Sequence, residues 1–291
     1  MVTTLIRTSV LAALLLGAAS YISAQPAQEP KLELPAPSPA SVLKQRVGLT
    51  DIQIEYSRPG VKGREIFGGL VAYGQVWRTG ANSATKITFS TPIKLNGSEV
   101  AAGTYGLFTI PDKNAWTVIL NRDEAQWGAY QYDQAKDVVR VPAQVASLPE
   151  NVETFTIDIA DIRDESAELV LRWEKTRVSV KLEVDVASKV LPQIQAIMSS
   201  DGKKSAGLLF GAAQFYYDHG QDLNKALTWI DQAVGMNPKA HYMVYLKARI
   251  LAKLGRKDEA VAAAKKSIEL ATAGKDLGYV KLNNDLIGSL K

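Results

Sequence analysis

The spacing of apolar residues changes once along this chain of 291 residues, and the change separates two kinds of secondary structure. From about residue 42 to residue 186, apolar residues occupy every second position, as in Ile52, Ile54 and Tyr56. Such alternation is typical of strands with one buried face, and Asn96-Gly97 suits a tight hairpin turn. Short strands with turns about every ten residues predict an antiparallel β-sandwich or barrel.

From Ala187 onward the apolar spacing is helical, and similar residues recur 34 positions apart. Ala226 recurs as Ala260, and Ala233 recurs as Ser267. Small residues at this period resemble the tetratricopeptide repeat, in which the two helices of each unit pack closely. Two units are few for such an array, so we expect helices at about 187–199 and 279–290 to act as caps. The predicted fold class is α+β, with a β domain at 42–186 and an all-α domain at 187–291.

The N-terminus has the three-part layout of a secretory signal peptide. Residues 1–24 run from a short polar start through an apolar segment, Val10 to Ala19, to the small residues Ser23-Ala24. The apolar segment is too short to span a bilayer. Residues 25–41 contain five prolines, which predicts an extended linker. We therefore expect a periplasmic or secreted protein that is cleaved after Ala24.

The absence of cysteine, and of histidine from the β domain, excludes several kinds of catalytic and metal-binding site. The chain has no cysteine, so disulfides, thiol nucleophiles and lipid attachment to cysteine are ruled out, and we expect a non-lipidated protein. We also expect no integral membrane segment in the protein after the signal peptide is cleaved. Both histidines, His219 and His241, follow residue 187. The β domain therefore lacks a Ser-His-Asp triad and a histidine-ligated zinc site. Phosphate-loop and dinucleotide motifs are absent, and we expect no metal and no cofactor.

Charge is divided unevenly between the two regions. Residues 25–186 contain 18 basic and 21 acidic residues, a net charge of −3, whereas residues 187–291 contain 15 and 9, a net charge of +6. The basic residues are scattered along helices among acidic ones, while nucleic-acid binding requires a dense basic face. We therefore expect no nucleic-acid partner.

Two stretches that contain glycine, 56–69 and 76–82, interrupt the strand pattern and concentrate cationic and aromatic side chains. Loops on a rigid sheet commonly carry binding residues. Arginine matches carboxylate or phosphate groups, and tryptophan offers a flat stacking face. The candidate ligand-binding residues are Arg58, Lys62, Arg64, Trp77, Arg78, Asn82 and Trp127. The alternative is a turn-rich corner in which the arginines pair with Glu55 or Glu65.

These loops resemble a family of exported bacterial proteins, the domain of unknown function 2911, over about residues 44–141. The matching segments are Tyr56-Ser57-Arg58-Pro59, Val61-Lys62-Gly63-Arg64, residues 76–82 and 102–111, Trp127-Gly128 and residues 137–141. The resemblance implies that the cationic and aromatic loop residues are a shared feature, and it brings no known activity. Ser83 stands where the family is expected to have glutamate, so that position is given no catalytic role.

The sequence leaves catalysis open and favours a non-enzymatic role. We expect a ligand-binding or scaffolding protein of the bacterial envelope, with an anionic or sugar-like ligand on the loops and a protein or peptide partner in the helical groove. One alternative is an envelope carbohydrate hydrolase that uses Asp123, Glu124 or Asp133 with nearby aromatic residues. Another is a purely structural assembly component.

Overall fold

A computed structural model describes residues 32–291 of the chain. The predicted signal peptide and the first part of the predicted linker lie outside the described residues. Residues 32–36 have no regular secondary structure. The β strands and helices all fall in one compact unit, Ser38–Lys291. The first strand begins at Ala40, so the last two residues of the stretch predicted as linker are part of the sheet.

Within residues 32–291 the sheet has nine strands, and every pair of neighbouring strands is antiparallel. The strands are β1 Ala40–Val47, β2 Thr50–Ser57, β3 Thr85–Phe89, β4 Ile93–Leu95, β5 Ser98–Val100, β6 Gly103–Ile110, β7 Trp116–Asn121, β8 Asp137–Ala160 and β9 Ser166–Val184. Their order is β1-β2-β3-β6-β7-β8-β9-β4-β5. The long strand β8 pairs with β7 through residues 137–143 and with β9 from residue 144 onward, so it joins two sections of sheet.

The alternating residues of the strands build one apolar core shared by both sections. On β2, Ile52, Ile54 and Tyr56 are buried while their neighbours are more exposed. Five aromatic rings meet at the centre of this core, and they are those of Phe67, Trp77, Trp116, Phe155 and Trp173. Because large aromatic side chains bury much apolar area, this cluster is a principal source of the β domain's stability.

Six helices follow the sheet in the described chain. They are α1 Ala187–Ser199, α2 Ala206–Asp218, α3 Leu223–Met236, α4 His241–Lys253, α5 Lys257–Ala273 and α6 Leu277–Ser289. The small residues of the 34-residue repeat, Ala226, Ala233, Ala260 and Ser267, are fully buried. Their size allows α3 and α5 to approach the preceding helices closely. The predicted α+β class is confirmed, and no described helix is long and apolar enough to cross a membrane.

The helical region is attached to the β domain near the start of α1. Glu165, in the turn between β8 and β9, accepts a hydrogen bond from the Ala187 main-chain nitrogen at 3.0 Å. The Glu165 Oε1 atom also lies 3.6 Å from the His219 Nε2 atom at the end of α2. Phe215, one turn earlier on α2, packs against the core of the β domain. The β8–β9 turn therefore holds the first two helices.

Candidate functional site

The loop that follows Trp77 is held by main-chain and hydroxyl hydrogen bonds. Trp77 exchanges both main-chain hydrogen bonds with Thr109 of β6, at 2.7 and 2.9 Å. The Thr85 hydroxyl donates to the Thr79 carbonyl oxygen at 2.6 Å. Thr79 and Asn82 have φ values of 54° and 61°, which non-glycine residues rarely adopt. Such backbone costs about 1–3 kcal/mol per residue and often accompanies a binding site.

A second loop, residues 126–130, pairs with the first. The Ala84 nitrogen donates to the Gln126 carbonyl oxygen at 2.9 Å, and the Gly128 nitrogen donates to the Asn82 carbonyl oxygen at 3.0 Å. A Cβ atom at Gly128 would lie 2.8 Å from the Tyr130 ring and 3.3 Å from Arg78 Nη1. The Tyr130 ring and the Arg78 guanidinium therefore both lie close to the Gly128 backbone. We call Arg78, Asn82, Trp127, Gly128 and Tyr130 the Arg78 site.

Arg78 is the residue of this site whose hydrogen-bonding capacity is unused. Its guanidinium forms no hydrogen bond and no ion pair with any residue of 32–291, and its Nε atom is fully buried. A buried donor without a partner costs about 1–3 kcal/mol. Beside it, Trp127 is 65% exposed and Tyr130 is 83% exposed. The site therefore combines a free planar cation with two accessible aromatic rings.

The guanidinium groups of the two other candidate arginines donate to main-chain carbonyl oxygens. Arg58 donates to the Phe155 carbonyl oxygen at 3.0 Å and to the Thr156 hydroxyl at 2.8 Å. Arg64 donates to the carbonyl oxygens of its own loop, from Nε at 3.1 Å and from Nη2 at 2.7 Å. Within residues 32–291 neither arginine pairs with Glu55 or Glu65, which was the structural alternative. The Lys62 main-chain nitrogen donates a hydrogen bond to the Glu153 carboxylate at 2.9 Å.

The two candidate tryptophans have opposite environments. Trp77 is 8% exposed, and its ring stacks on Trp173 with centroids 5.8 Å apart and an interplanar angle of 13°. Its faces are thus occupied within the core, and Trp127 has the open ring. The structure brings Arg78, Asn82 and Trp127 together and adds Tyr130. The sequence contained a signal for Tyr130, since it stands three residues after Trp127, but this tyrosine was not among the candidate ligand-binding residues.

Two of the three carboxylates considered for hydrolysis, Asp123 and Asp133, are engaged in local contacts. Asp123 accepts a hydrogen bond from Lys136 Nζ at 2.8 Å, and this contact raises the pKa of Lys136. Asp133 accepts from the Ala135 nitrogen at 2.9 Å and begins the 3-10 turn Gln134–Lys136. Within residues 32–291 there is no group of three or more carboxylates and histidines placed to hold a metal ion.

Helices α2, α4 and α6 together present a second surface, which is rich in aromatic and basic groups. On α4, Tyr245, Arg249 and Lys253 follow one another at four-residue spacing and so share one face. The Arg249 guanidinium carbon lies 4.4 Å from the Tyr217 ring centroid, and Lys253 Nζ lies 4.8 Å from it. Tyr245 meets Tyr279 of α6 edge to face at 5.5 Å. We call these five residues the helical aromatic face.

Comparison with known proteins finds two family matches along the chain. Residues 38–182 match the family model described as "Protein of unknown function (DUF2911)", and residues 241–273, which span α4 and α5, match a tetratricopeptide repeat. No curated protein matches the chain significantly. A similar solved structure is the solution structure of protein BPP2914 from Bordetella parapertussis, with 20% identity, a TM-score of 0.30 and coverage of 34% of this chain and 84% of that one. The predicted resemblance is confirmed: a β domain that matches the DUF2911 family is followed by a helical region with a tetratricopeptide repeat.

Proposed function

We propose that this chain is an exported, non-catalytic binding protein of the bacterial envelope that joins a small anionic ligand to a protein partner. The ligand would bind the β domain, and the partner would bind the helical region. The N-terminal sequence supports export. The tetratricopeptide repeat supports a protein partner, since stacked helices of this kind offer extended binding surfaces.

The observation that carries the ligand-binding part is the Arg78 guanidinium. Its Nε atom is buried without a partner, although buried polar groups in folded proteins are nearly always hydrogen-bonded. A carboxylate or phosphate group would accept hydrogen bonds from the planar guanidinium. The strained backbone at Thr79 and Asn82 supports the same interpretation, because strain of this kind concentrates where ligands bind.

For the protein partner, the supporting surface is the helical aromatic face. Tyrosine and arginine are among the residue types enriched at the energetic centres of protein interfaces. Arg249 already lies against Tyr217, which holds its guanidinium in a defined position. The basic charge of the helical region, +6 for residues 187–291, favours a partner with an acidic surface.

The ligand-binding part can be tested by thermal-shift measurements on the purified protein. A ligand that binds only the folded state raises its apparent stability. We expect at least one carboxylate- or phosphate-bearing compound to raise the melting temperature of the wild type and to have a smaller effect on Arg78→Gln. If every anion that stabilises the protein stabilises Arg78→Gln equally, the Arg78 site is not the ligand site.

The partner-binding part can be tested by capture from an envelope extract. Wild-type protein is compared with a variant carrying Arg249→Ala and Lys253→Ala. The matched control carries Lys265→Ala and Lys266→Ala, which removes two charges from the exposed side of α5. We expect the control to capture the same partner as the wild type and the α4 variant to lose it. Equal capture by all three proteins would rule out the helical aromatic face as the binding surface.

A further inference from the structure

We infer that the Arg78 site binds a saccharide that carries a single carboxylate, with the carboxylate on Arg78 and the sugar ring against Tyr130 and Trp127. The inference rests on the proposed ligand-binding function of the β domain and names its ligand class. Three properties of the site lead to it: the free guanidinium, the pair of exposed rings and the presence of a single cation among its five residues.

The Arg78 guanidinium indicates which charged group the ligand carries. Arginine donates two parallel hydrogen bonds to a carboxylate, a geometry that lysine and neutral donors do not reproduce. Arg78 retains its full set of donors because it has no partner in the described chain. Its Nη1 atom lies beside Gly128, so an anion bound to it would sit next to the 126–130 loop.

The exposed rings of Trp127 and Tyr130 indicate what the uncharged part of the ligand is. Tyr130 and Trp127 present most of their surface to solvent, and they stand within three residues of each other beside the cation. A pyranose ring has one face of C–H groups, which packs on an aromatic face while the hydroxyl groups stay hydrated. Gly128 has φ 70° and carries no side chain, which lets the Tyr130 ring and Arg78 approach the same piece of backbone.

The charge of the domain limits the number of anionic groups. Residues 25–186 have a net charge of −3, and Arg58 and Arg64 are committed to main-chain carbonyl oxygens. Polyphosphates and nucleic acids are bound by several cations acting together. Arg78 is the one cation among the five residues of the Arg78 site, which matches a ligand with one carboxylate and distinguishes a uronic acid from a nucleotide.

The test is an NMR titration of the purified protein with four separate compounds: glucuronic acid, its methyl ester, glucose 6-phosphate and acetate. We expect glucuronic acid to bind more tightly than the other three, and at least tenfold more tightly than the methyl ester. Arg78→Gln should weaken glucuronic acid binding at least tenfold, and Arg78→Lys should weaken it less. Tyr130→Ala should weaken binding, whereas Tyr130→Phe should preserve it because the ring remains.

Arg163→Gln is the matched control, because Arg163 is an exposed arginine in the β8–β9 turn. It should bind glucuronic acid as the wild type does, and circular dichroism should show every variant folded. If acetate binds as tightly as glucuronic acid, the sugar ring makes no contact and the inference is wrong. If glucose 6-phosphate binds through Arg78 and glucuronic acid does not, the ligand class is wrong while the proposed function stands. If no anion binds in an Arg78-dependent way, both are wrong.

Discussion

Replacing Gly128 with alanine adds one methyl group at the centre of the Arg78 site. The new Cβ atom would lie 2.8 Å from the Tyr130 ring, closer than real Cβ contacts allow, and 3.3 Å from Arg78 Nη1. Tyr130 is exposed and can rotate away, so the methyl group should displace the ring without disturbing the core. The substitution is therefore expected to change the binding surface more than the fold.

The free-energy cost of placing alanine in a left-handed backbone conformation can be separated from the steric effect of its methyl group on Tyr130. Gly128 has φ 70°, and an L-residue in this left-handed region costs about 1–2 kcal/mol. Gly63 also has φ 70°, and a Cβ atom there would meet nothing within 4 Å. Gly63→Ala thus carries the same backbone cost in open space. We expect both variants to lose about 1–2 kcal/mol of unfolding free energy.

The measurements are urea unfolding followed by titration with glucuronic acid. Gly128→Ala should weaken the binding at least several-fold, while Gly63→Ala should bind as the wild type does. Two results would refute the reasoning. Equal binding by the two variants would mean that the Tyr130 ring does not rest on Gly128. A loss at Gly128 several kcal/mol larger than at Gly63 would mean that Tyr130 cannot move and belongs to the core.

Three further predictions concern stability. Trp77→Ala should lower the unfolding free energy by about 3–5 kcal/mol, because it leaves a cavity in the aromatic core. Trp127→Ala should change the unfolding free energy by less than about 0.5 kcal/mol, because this side chain is exposed. Urea unfolding of the two variants measures the difference. Ser267→Ala should lower the unfolding free energy by about 1–3 kcal/mol in the same assay. The Ser267 hydroxyl donates to the His241 carbonyl oxygen of α4 and accepts from the buried Asn283 side-chain amide of α6, and alanine removes both hydrogen bonds. Burial and the hydrogen bond to Asp137 raise the pKa of Tyr132 well above its ordinary value of 10.0. The unfolded state therefore releases this proton first, so above about pH 10 the wild type should lose stability more steeply with pH than Tyr132→Phe does, and unfolding at pH 9 to 11 measures the difference.

Strands and repeat units were predictable because each depends on a local pattern. Alternation marked the buried residues of β2, and the 34-residue spacing marked the small residues that α3 and α5 bury. Both patterns follow from the geometry of a single element and need no knowledge of its neighbours. The change in the pairing partner of β8 from β7 to β9 was not predictable, because it depends on which strand lies beside each half.

The candidate site was predictable in composition but not in arrangement. Trp77 and Trp127 both stand beside glycine-rich loops, yet one packs on Trp173 and the other faces solvent. The difference arises from a contact between residues 77 and 173 that no local pattern encodes. The pairing of the 126–130 loop with the 82–84 segment is equally non-local, and it decides that Arg78 has Tyr130 as its neighbour.

The pairing of β4 with β9 sets an order of events for folding. Residue 93 lies opposite residue 184, and residue 95 lies opposite residue 182, so the short β4–β5 hairpin docks on the last strand of the domain. Contacts between residues so distant in sequence form slowly, whereas contacts between neighbouring helices form quickly. The β domain therefore stays incomplete until β9 is in place. A chain that emerges from its N-terminus, whatever it emerges from, cannot close this sheet until residue 184 has emerged.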